Sequence, residues 1–301
     1  MSTIDKNLDP RKHPQQDVYG VIGNPVAHSL SPLIHAQFAI QAQQNVYYGK
    51  LFSETDAFEK TVETFFQHGG KGLNVTVPFK SRAFDLCHHL SERATAAGVV
   101  NILWQEDGKY YGDNSDGVGL VRDIENHPIS IKGQRILVIG AGGAVQGVIL
   151  PLLQKQPMQI VIANRTQDKA QKIVERFLPQ AKAAKISLET IALKDIEQLQ
   201  QSFSIIINGT SSGLEGASPL TEEQAQHLAQ TTKQANEGLG YDMVYGKPTA
   251  FMQQMSRVNY HVKDGLGMLV EQAAEAFEVW RHLENQNRLN TASVLEMIRK
   301  R

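Results

Sequence analysis

Short, mainly apolar runs alternate along this chain with longer segments in which apolar residues recur every three or four positions. The runs at residues 18–22, 46–52, 72–77, 99–104, 136–139, 159–163, 204–208 and 241–244 have the length and β-branched content of buried strands. Helical periodicity fills the intervals, over 33–43, 55–68, 91–98, 168–178 and 193–200, and again from Gly265 through Trp280. Residues 109–112 return on 99–104 as a hairpin across Glu106-Asp107-Gly108. Strand followed by helix, repeated, predicts an α/β protein built on parallel sheets. Residues 283–301, polar and then amphipathic, predict a terminal helix, and residues 1–16, polar with two prolines, read as a loose extension.

Length and charge narrow the function classes. The 301 residues suffice for two domains, and a net charge of −1 leaves no electrostatic footprint for nucleic acid or an anionic membrane. No apolar run approaches a membrane span, and the polar N-terminus has no signal-peptide core. Cys87, the single cysteine, excludes an internal disulfide framework and suits a reducing compartment. The expectation is a cytoplasmic protein with small-molecule partners, no nucleic acid, no membrane and no metal site.

The run at 136–139 ends in Gly140-Ala141-Gly142-Gly143-Ala144 and then enters a helix. Glycines there let the backbone turn sharply and approach a pyrophosphate, and the following helix aims free N–H groups and its positive dipole end at that anion. Val145 makes the match to the dinucleotide fingerprint imperfect. The next strand ends in Asn164-Arg165-Thr166. An NAD site places an acid at that point to hold the ribose 2′-hydroxyl, whereas arginine suits the 2′-phosphate of NADP, so NADP(H) is the expected cofactor.

Ser31 and Pro32 open the helix at 33–43 as its N-cap and first residue, yet Ser29 and Ser31 beside a helix N-terminus also make a competent carboxylate site. Asn74 and Thr76 alternate near the end of their strand, and Lys80 sits in the first turn of the next helix, where it opposes the dipole. Gly112-Asp113-Asn114-Ser115-Asp116-Gly117 reads on composition as a turn, and His28, His35 and Cys87 as structural residues.

Together these stretches resemble the shikimate dehydrogenase family over roughly residues 18 to 282. The likeness rests on Gly23-Asn24-Pro25-Val26-Ala27-His28-Ser29-Leu30-Ser31-Pro32, Asn74-Val75-Thr76-Val77-Pro78-Phe79-Lys80, the 112–117 cluster, the glycine turn, Asn164-Arg165-Thr166, Tyr241-Asp242-Met243-Val244-Tyr245 and Asp264-Gly265-Leu266-Gly267-Met268-Leu269-Val270. It implies a substrate domain over 1–115 and 265–301, a Rossmann-type doubly wound cofactor domain over 116–264, and a cleft between them. It also implies that Ser29, Ser31 and Tyr245 hold the substrate carboxylate and that Asn74, Thr76, Lys80, Asn101, Asp116 and Gln272 surround the ring hydroxyls. Lys80 and Asp116 are the implied catalytic pair. Cofactor contacts are implied for Gly140, Ala141, Gly142, Gly143, Ala144, Asn164, Arg165, Thr166, Gln167, Asp168, Lys169, Met243, Gly265 and Met268, with Glu92 near the site. The implied reaction is reversible NADPH-dependent reduction of 3-dehydroshikimate, and a homodimer stays open as the assembly.

The chain departs from the family pattern at Val99 and Ile102 around Asn101, at Val145-Gln146, at Gly209, and in a loop over 246–251 that looks shortened. An NAD-using quinate/shikimate dehydrogenase would call for an acid in place of Asn164-Arg165-Thr166. A non-catalytic sensor on the same fold would lack Lys80 or Asp116, and a reductase acting on charged tRNA would need a basic surface.

Overall fold

The computed structural model describes residues 8–231, 238–283 and 289–300. Two compact units emerge, Met1–Gly119 with Leu269–Arg301, and Leu120–Met268.

In the first unit β1 (Asp17–Gly23) pairs in parallel with β2 (Val46–Phe52) on one side and β3 (Gly72–Val75) on the other. The short β4 (His89–Leu90), β5 (Ile102–Glu106) and β6 (Lys109–Asp113) complete a sheet in the order β2-β1-β3-β5-β6-β4, with β5 antiparallel to both β3 and β6. Alternation along each strand sorts the two faces. Val18, Ile22, Leu73, Val75 and Leu103 point into a core closed by Phe58, Val62, Phe65 and Phe66 of α2 (Phe58–Gln67), with Phe79 and with Ala83 of α3 (Lys80–Leu86). Tyr19, Val21, Tyr48 and Ile102 point to the other face, where Ala276 and Trp280 cover them. Register puts Asn74 on that second face, opposite Val21 and Ile102.

The segment before β1 is more than a loose extension. Leu8 is buried, and a Cβ at Gly20 or Gly49 would lie 2.5 Å or 2.6 Å from its methyl groups, so the two bare glycines make its seat. Asp9 accepts from the Arg11 amide and caps the turn Pro10–Lys12. Residues 1–7 of that extension lie outside the described residues.

The second unit holds β7 (Arg135–Ile139), β8 (Gln159–Asn164), β9 (Ser187–Ala192), β10 (Ile205–Asn208), β11 (Leu239–Asp242) and β12 (His261–Asp264), all parallel, in the order β12-β11-β10-β7-β8-β9. Strand order reverses at β7, so the carboxyl ends of β7 and β10 flank the crevice where such sheets take ligands. Both outer strands escaped the apolar pattern. β9 is Ser-Leu-Glu-Thr-Ile-Ala, half polar, and β12 is His-Val-Lys-Asp with His261 and Val262 exposed, so the sheet ends one strand beyond 241–244. Within the helical segment expected over 193–200, Leu193–Gln198 form a 3₁₀ helix.

Two helices carry the chain across the unit boundaries, α5 (Asp116–Glu125) and α10 (Leu266–Arg281). Asp116 therefore belongs to the first unit. The terminal helix, α11, spans Thr291–Arg299, with 284–288 outside the described residues.

Candidate active site

Three polar residues leave the end of β3 within one turn of chain. Asn74 is the last polar side chain of the strand, Thr76 begins a turn in which Phe79 N–H donates to the Thr76 carbonyl at 3.0 Å, and Lys80 opens α3. The Lys80 ammonium lies 2.5 Å from Asp116 Oδ2, which accounts for a cation where the helix dipole disfavours one. Asp116 stands in the first turn of α5, where an anion is favoured. Its other oxygen, Oδ1, accepts from Asn101 Nδ2 at 2.8 Å. Asn101 Oδ1 accepts from the Ser115 amide at 2.8 Å, and Gln272 of α10 brings Oε1 to 3.4 Å from the Ser115 hydroxyl. Asn74, Lys80, Asn101, Asp116 and Gln272 thus form one polar assembly within the first unit.

The 112–117 cluster is buried despite its polar composition. Asp113, Asn114, Ser115 and Asp116 are each at most 6% exposed. Arg93 clamps Asp113 through two bonds of 2.7 Å and 2.5 Å and reaches Glu275 of α10 at 2.7 Å. Asp113 also accepts from the Ser91 hydroxyl and the Asn114 amide. Burial pulls the Asp113 carboxyl upward, but these donors, Arg93 foremost, outweigh it and hold the group below the ordinary carboxylate range. Asn114 passes the order on: its Nδ2 donates to the Val99 carbonyl, and its Oδ1 accepts from the Asp116 amide at 3.0 Å. The charges serve a fixed backbone at Asp116.

Ser31 does not cap its helix. α1 (Ser31–Gln41) starts at that residue, Leu30 is the cap position, and no side chain supplies a capping bond. Ser29 Oγ accepts from the Ser31 amide at 3.2 Å and donates to Ser31 Oγ at 3.1 Å. Ser29 spends its proton on Ser31, so the donor this pair can offer an anion beside the helix N-terminus is the Ser31 hydroxyl. Thr76 projects a methyl toward Gly23, where a Cβ would collide with it, and its hydroxyl makes no protein hydrogen bond among the described residues. Tyr48, which the sequence reading passed over, donates to Asn74 Oδ1 at 2.7 Å. A tyrosine beside Tyr47 in a mainly apolar strand carries no outward sign of such a role. Glu92 is exposed in the first turn of α4 (Glu92–Ala97), between Ser91 and Arg93. Cys87 is half-buried and donates to the Ala83 carbonyl, and burial pushes its thiol up to about 12.

In the second unit the glycine turn follows β7. Gly140 has φ +113°, a conformation that L side chains rarely adopt. Gly142 is the cap position of α6 (Gly143–Gln154) and supplies no capping side chain, and a Cβ there would meet nothing within 4 Å. Open space beside uncapped amides is a cradle for phosphate oxygens. β8 ends alongside, with Ala163 opposite Ile139, so Asn164 and Arg165 neighbour the turn. Arg165 is exposed, with no ion pair among the described residues, and Gln167, Asp168 and Lys169 open α7 (Gln167–Ala183). This donor set fits a dinucleotide carrying a 2′-phosphate. On the other flank Gly209 N–H donates to the Ile139 carbonyl, and Met243 N–H to that of Asn208. Gly265 packs so tightly on Met243 that a Cβ would collide with its carbonyl oxygen. Met268 is buried nearby in sequence, and Tyr245 follows Met243 in the same loop.

Two of the departures noted in the sequence prove to be one. A Cβ at Gly209 would lie 2.5 Å from a Val145 methyl, so the larger residue after the glycine turn and the smaller residue after β10 compensate.

Comparison with known proteins agrees with this arrangement. Residues 21–103 match the shikimate dehydrogenase substrate binding domain, residues 122–239 the shikimate / quinate 5-dehydrogenase domain, and residues 265–284 the shikimate 5′-dehydrogenase C-terminal domain. The chain is 48% identical over 285 residues to shikimate dehydrogenase (NADP(+)) of Janthinobacterium sp. (strain Marseille), covering 94% of this chain and 97% of that one. It is 48% identical over 288 residues to the protein of the same name from Cupriavidus taiwanensis, covering 94% and 93%. Among solved structures, shikimate 5-dehydrogenase from Thermus thermophilus, in complex with NADP(H) and shikimate, superposes with a TM-score of 0.78 at 28% identity, over 95% of this chain and 99% of that one.

Proposed function

The chain belongs to the shikimate dehydrogenase family, and from that premise we propose how its own residues divide the work of the reaction. It is an NADP-dependent oxidoreductase acting on a CH–OH group, interconverting shikimate and 3-dehydroshikimate on the route to chorismate and the aromatic amino acids. The observation that carries the assignment of roles is the Lys80–Asp116 pair, 2.5 Å apart and set among amide side chains.

NADP(H), when bound, accepts or supplies the hydride. Gly140, Ala141, Gly142, Gly143 and Ala144 would hold its pyrophosphate, Asn164, Arg165, Thr166, Gln167, Asp168 and Lys169 its 2′-phosphate end, and Met243, Gly265 and Met268 the remainder, with Glu92 nearby. Ser29, Ser31 and Tyr245 would hold the substrate carboxylate. Oxidation of a ring alcohol releases a proton, and reduction needs one at the developing alkoxide, so a group beside that oxygen must exchange it. Lys80 has the chemistry for both directions, since an ammonium donates and an amine accepts, and its charge also favours the alkoxide. Asp116 steers it: Oδ2 holds the ammonium while Oδ1 is held by Asn101, leaving lone pairs for a substrate hydroxyl. Thr76, Asn74 and Gln272 complete the polar lining.

Among the described residues no helix is long and apolar enough to cross a membrane. A cytoplasmic enzyme and a homodimer are the finer readings, which fractionation and light scattering would check. The reading is tested with purified protein, shikimate or its methyl ester, and NADP or NAD. Fast reduction of NADP by the free acid alone supports it. Equal rates with the ester would remove the carboxylate site, and equal use of NAD the role of Arg165.

A further inference from the structure

Tyr48 stands between the two groups of residues assigned to the substrate. It lies opposite Tyr19 of β1 while Asn74 lies opposite Val21, so all four share one sheet face. The phenol donates to Asn74 Oδ1 at 2.7 Å, and Asn74 Nδ2 donates to the Asn101 carbonyl at 3.1 Å. These bonds fix the amide's orientation, because a carbonyl can only accept and Tyr48 supplies the matching proton on the other side. One Nδ2 hydrogen is left without a protein acceptor among the described residues, while the His35 ring lies against the same amide.

The phenol is itself held in place. Its ring stacks on His35 at 4.0 Å with planes 5° apart, and Trp280 closes the cluster at 6.5 Å. His35 has no solvent exposure and no hydrogen-bond partner at either ring nitrogen among the described residues. Burial lowers its pKa to about 3 against a smaller upward pull from the neighbouring Asn74 amide, so it is a neutral platform at working pH. Burial likewise raises the Tyr48 phenol, with the adjacent Ser31 hydroxyl offsetting part of the effect, which keeps the proton on Tyr48 for Asn74.

We propose that Tyr48 is a specificity-determining positioning residue, which locks the Asn74 amide so that its free N–H meets one of the two substrate hydroxyls that do not react. The proposal rests on the shikimate-oxidising function given above. A site built to donate to a hydroxyl discriminates against an analogue lacking it, because its own buried N–H is then left unpaired. Without the phenolic hydroxyl Asn74 Oδ1 loses its donor, the amide pivots, and discrimination relaxes.

The test compares wild type, Tyr48→Phe, Asn74→Ala and the double variant on shikimate and its 4-deoxy and 5-deoxy analogues. Phe preserves the stack on His35, and thermal unfolding of each variant checks its fold. Loss of one hydrogen bond predicts that Tyr48→Phe raises the KM for shikimate about 10-fold, lowers kcat by less than about 3-fold and leaves the KM for NADP in place. Its preference for shikimate over the poorer deoxy analogue should shrink about 10-fold, and in the Asn74→Ala background the Tyr48 change should add less than about 2-fold. Additive losses in the double variant, or an unchanged preference between shikimate and both analogues, would overturn the role. Failure of the wild-type protein to oxidise shikimate would instead strike the functional reading beneath it.

Discussion

Arg93→Ala perturbs the active site without touching any residue assigned to substrate. Its guanidinium makes two bonds to Asp113 and one to Glu275, and the Asp113 side chain is only 8% exposed. Removing the cation leaves a buried carboxylate uncompensated, which costs about 3–5 kcal/mol. For a unit of roughly 150 residues, each kcal/mol moves Tm by about 2–4 °C, so the expected fall is roughly 6–20 °C. Because Asp113 and Asn114 fix the backbone at Asp116, kcat/KM should fall as well, by about 10- to 100-fold, the range for a small misplacement of reacting groups. The pH dependence carries a sign. Asp113 has a depressed folded pKa, so its contribution is present above the unfolded value near ~3.9 and is lost as pH falls through the folded value. Arg93→Ala should therefore flatten the acid end of the Tm profile below about pH 4. Thermal unfolding by circular dichroism, with a coupled activity assay, reads both effects. A variant with Tm within about 2 °C of wild type would refute the reasoning, since even the low end of the range predicts three times that.

Arg165→Ala should weaken NADPH use by about 1.5–3 kcal/mol, the worth of hydrogen bonds to a charged group, and leave NADH use nearly unchanged; equal losses with both cofactors would remove Arg165 from the 2′-phosphate. Gly142→Ala meets no atom within 4 Å and has φ −80°, so it should leave Tm unmoved while raising the KM for NADPH about 10-fold or more, and an unaffected KM would show that no phosphate enters that space. His35 has its pKa lowered from 6.5 to about 3, so the unfolded chain gains a proton that the folded chain refuses, and stability falls as pH drops through that window. His35→Phe should remove this part of the acid sensitivity, and a Tm profile parallel to wild type down to about pH 4 would contradict it.

The parts of the fold written in apolar periodicity were legible: the central strands β7, β8 and β10, buried on both faces, show continuous apolar runs. Edge strands such as β9 and β12 bury too little to show that signal. Lys80 was visible because its position works against the helix dipole, whereas Asp116 came only from the family resemblance, and the structure supplies the ion pair that joins them. The support for Asp116 was hidden, since Asp113, Asn114 and Ser115 have the composition of a turn and are buried only because Arg93, distant in sequence, supplies the counter-charge. Ser31 showed the reverse error. Its local pattern fits an N-cap, but the hydroxyl of Ser29 bonds the Ser31 amide and the helix begins one residue early. Tyr48 and His35 are ordinary core residues in sequence, and only register and stacking distinguish them.

The central claim is that Lys80 moves the proton at the reacting oxygen, and kcat for Lys80→Ala with shikimate and NADP tests it most directly. Loss of a positioned general acid or base predicts a fall of about 10²- to 10⁴-fold. Shikimate should still bind, through the carboxylate site and the amide side chains. Lys80→Arg should not restore the rate, because a guanidinium does not give up its proton near neutral pH. A folded Lys80→Ala protein that turns over within a few-fold of wild type would contradict the claim and leave Asp116 as the group that takes the proton.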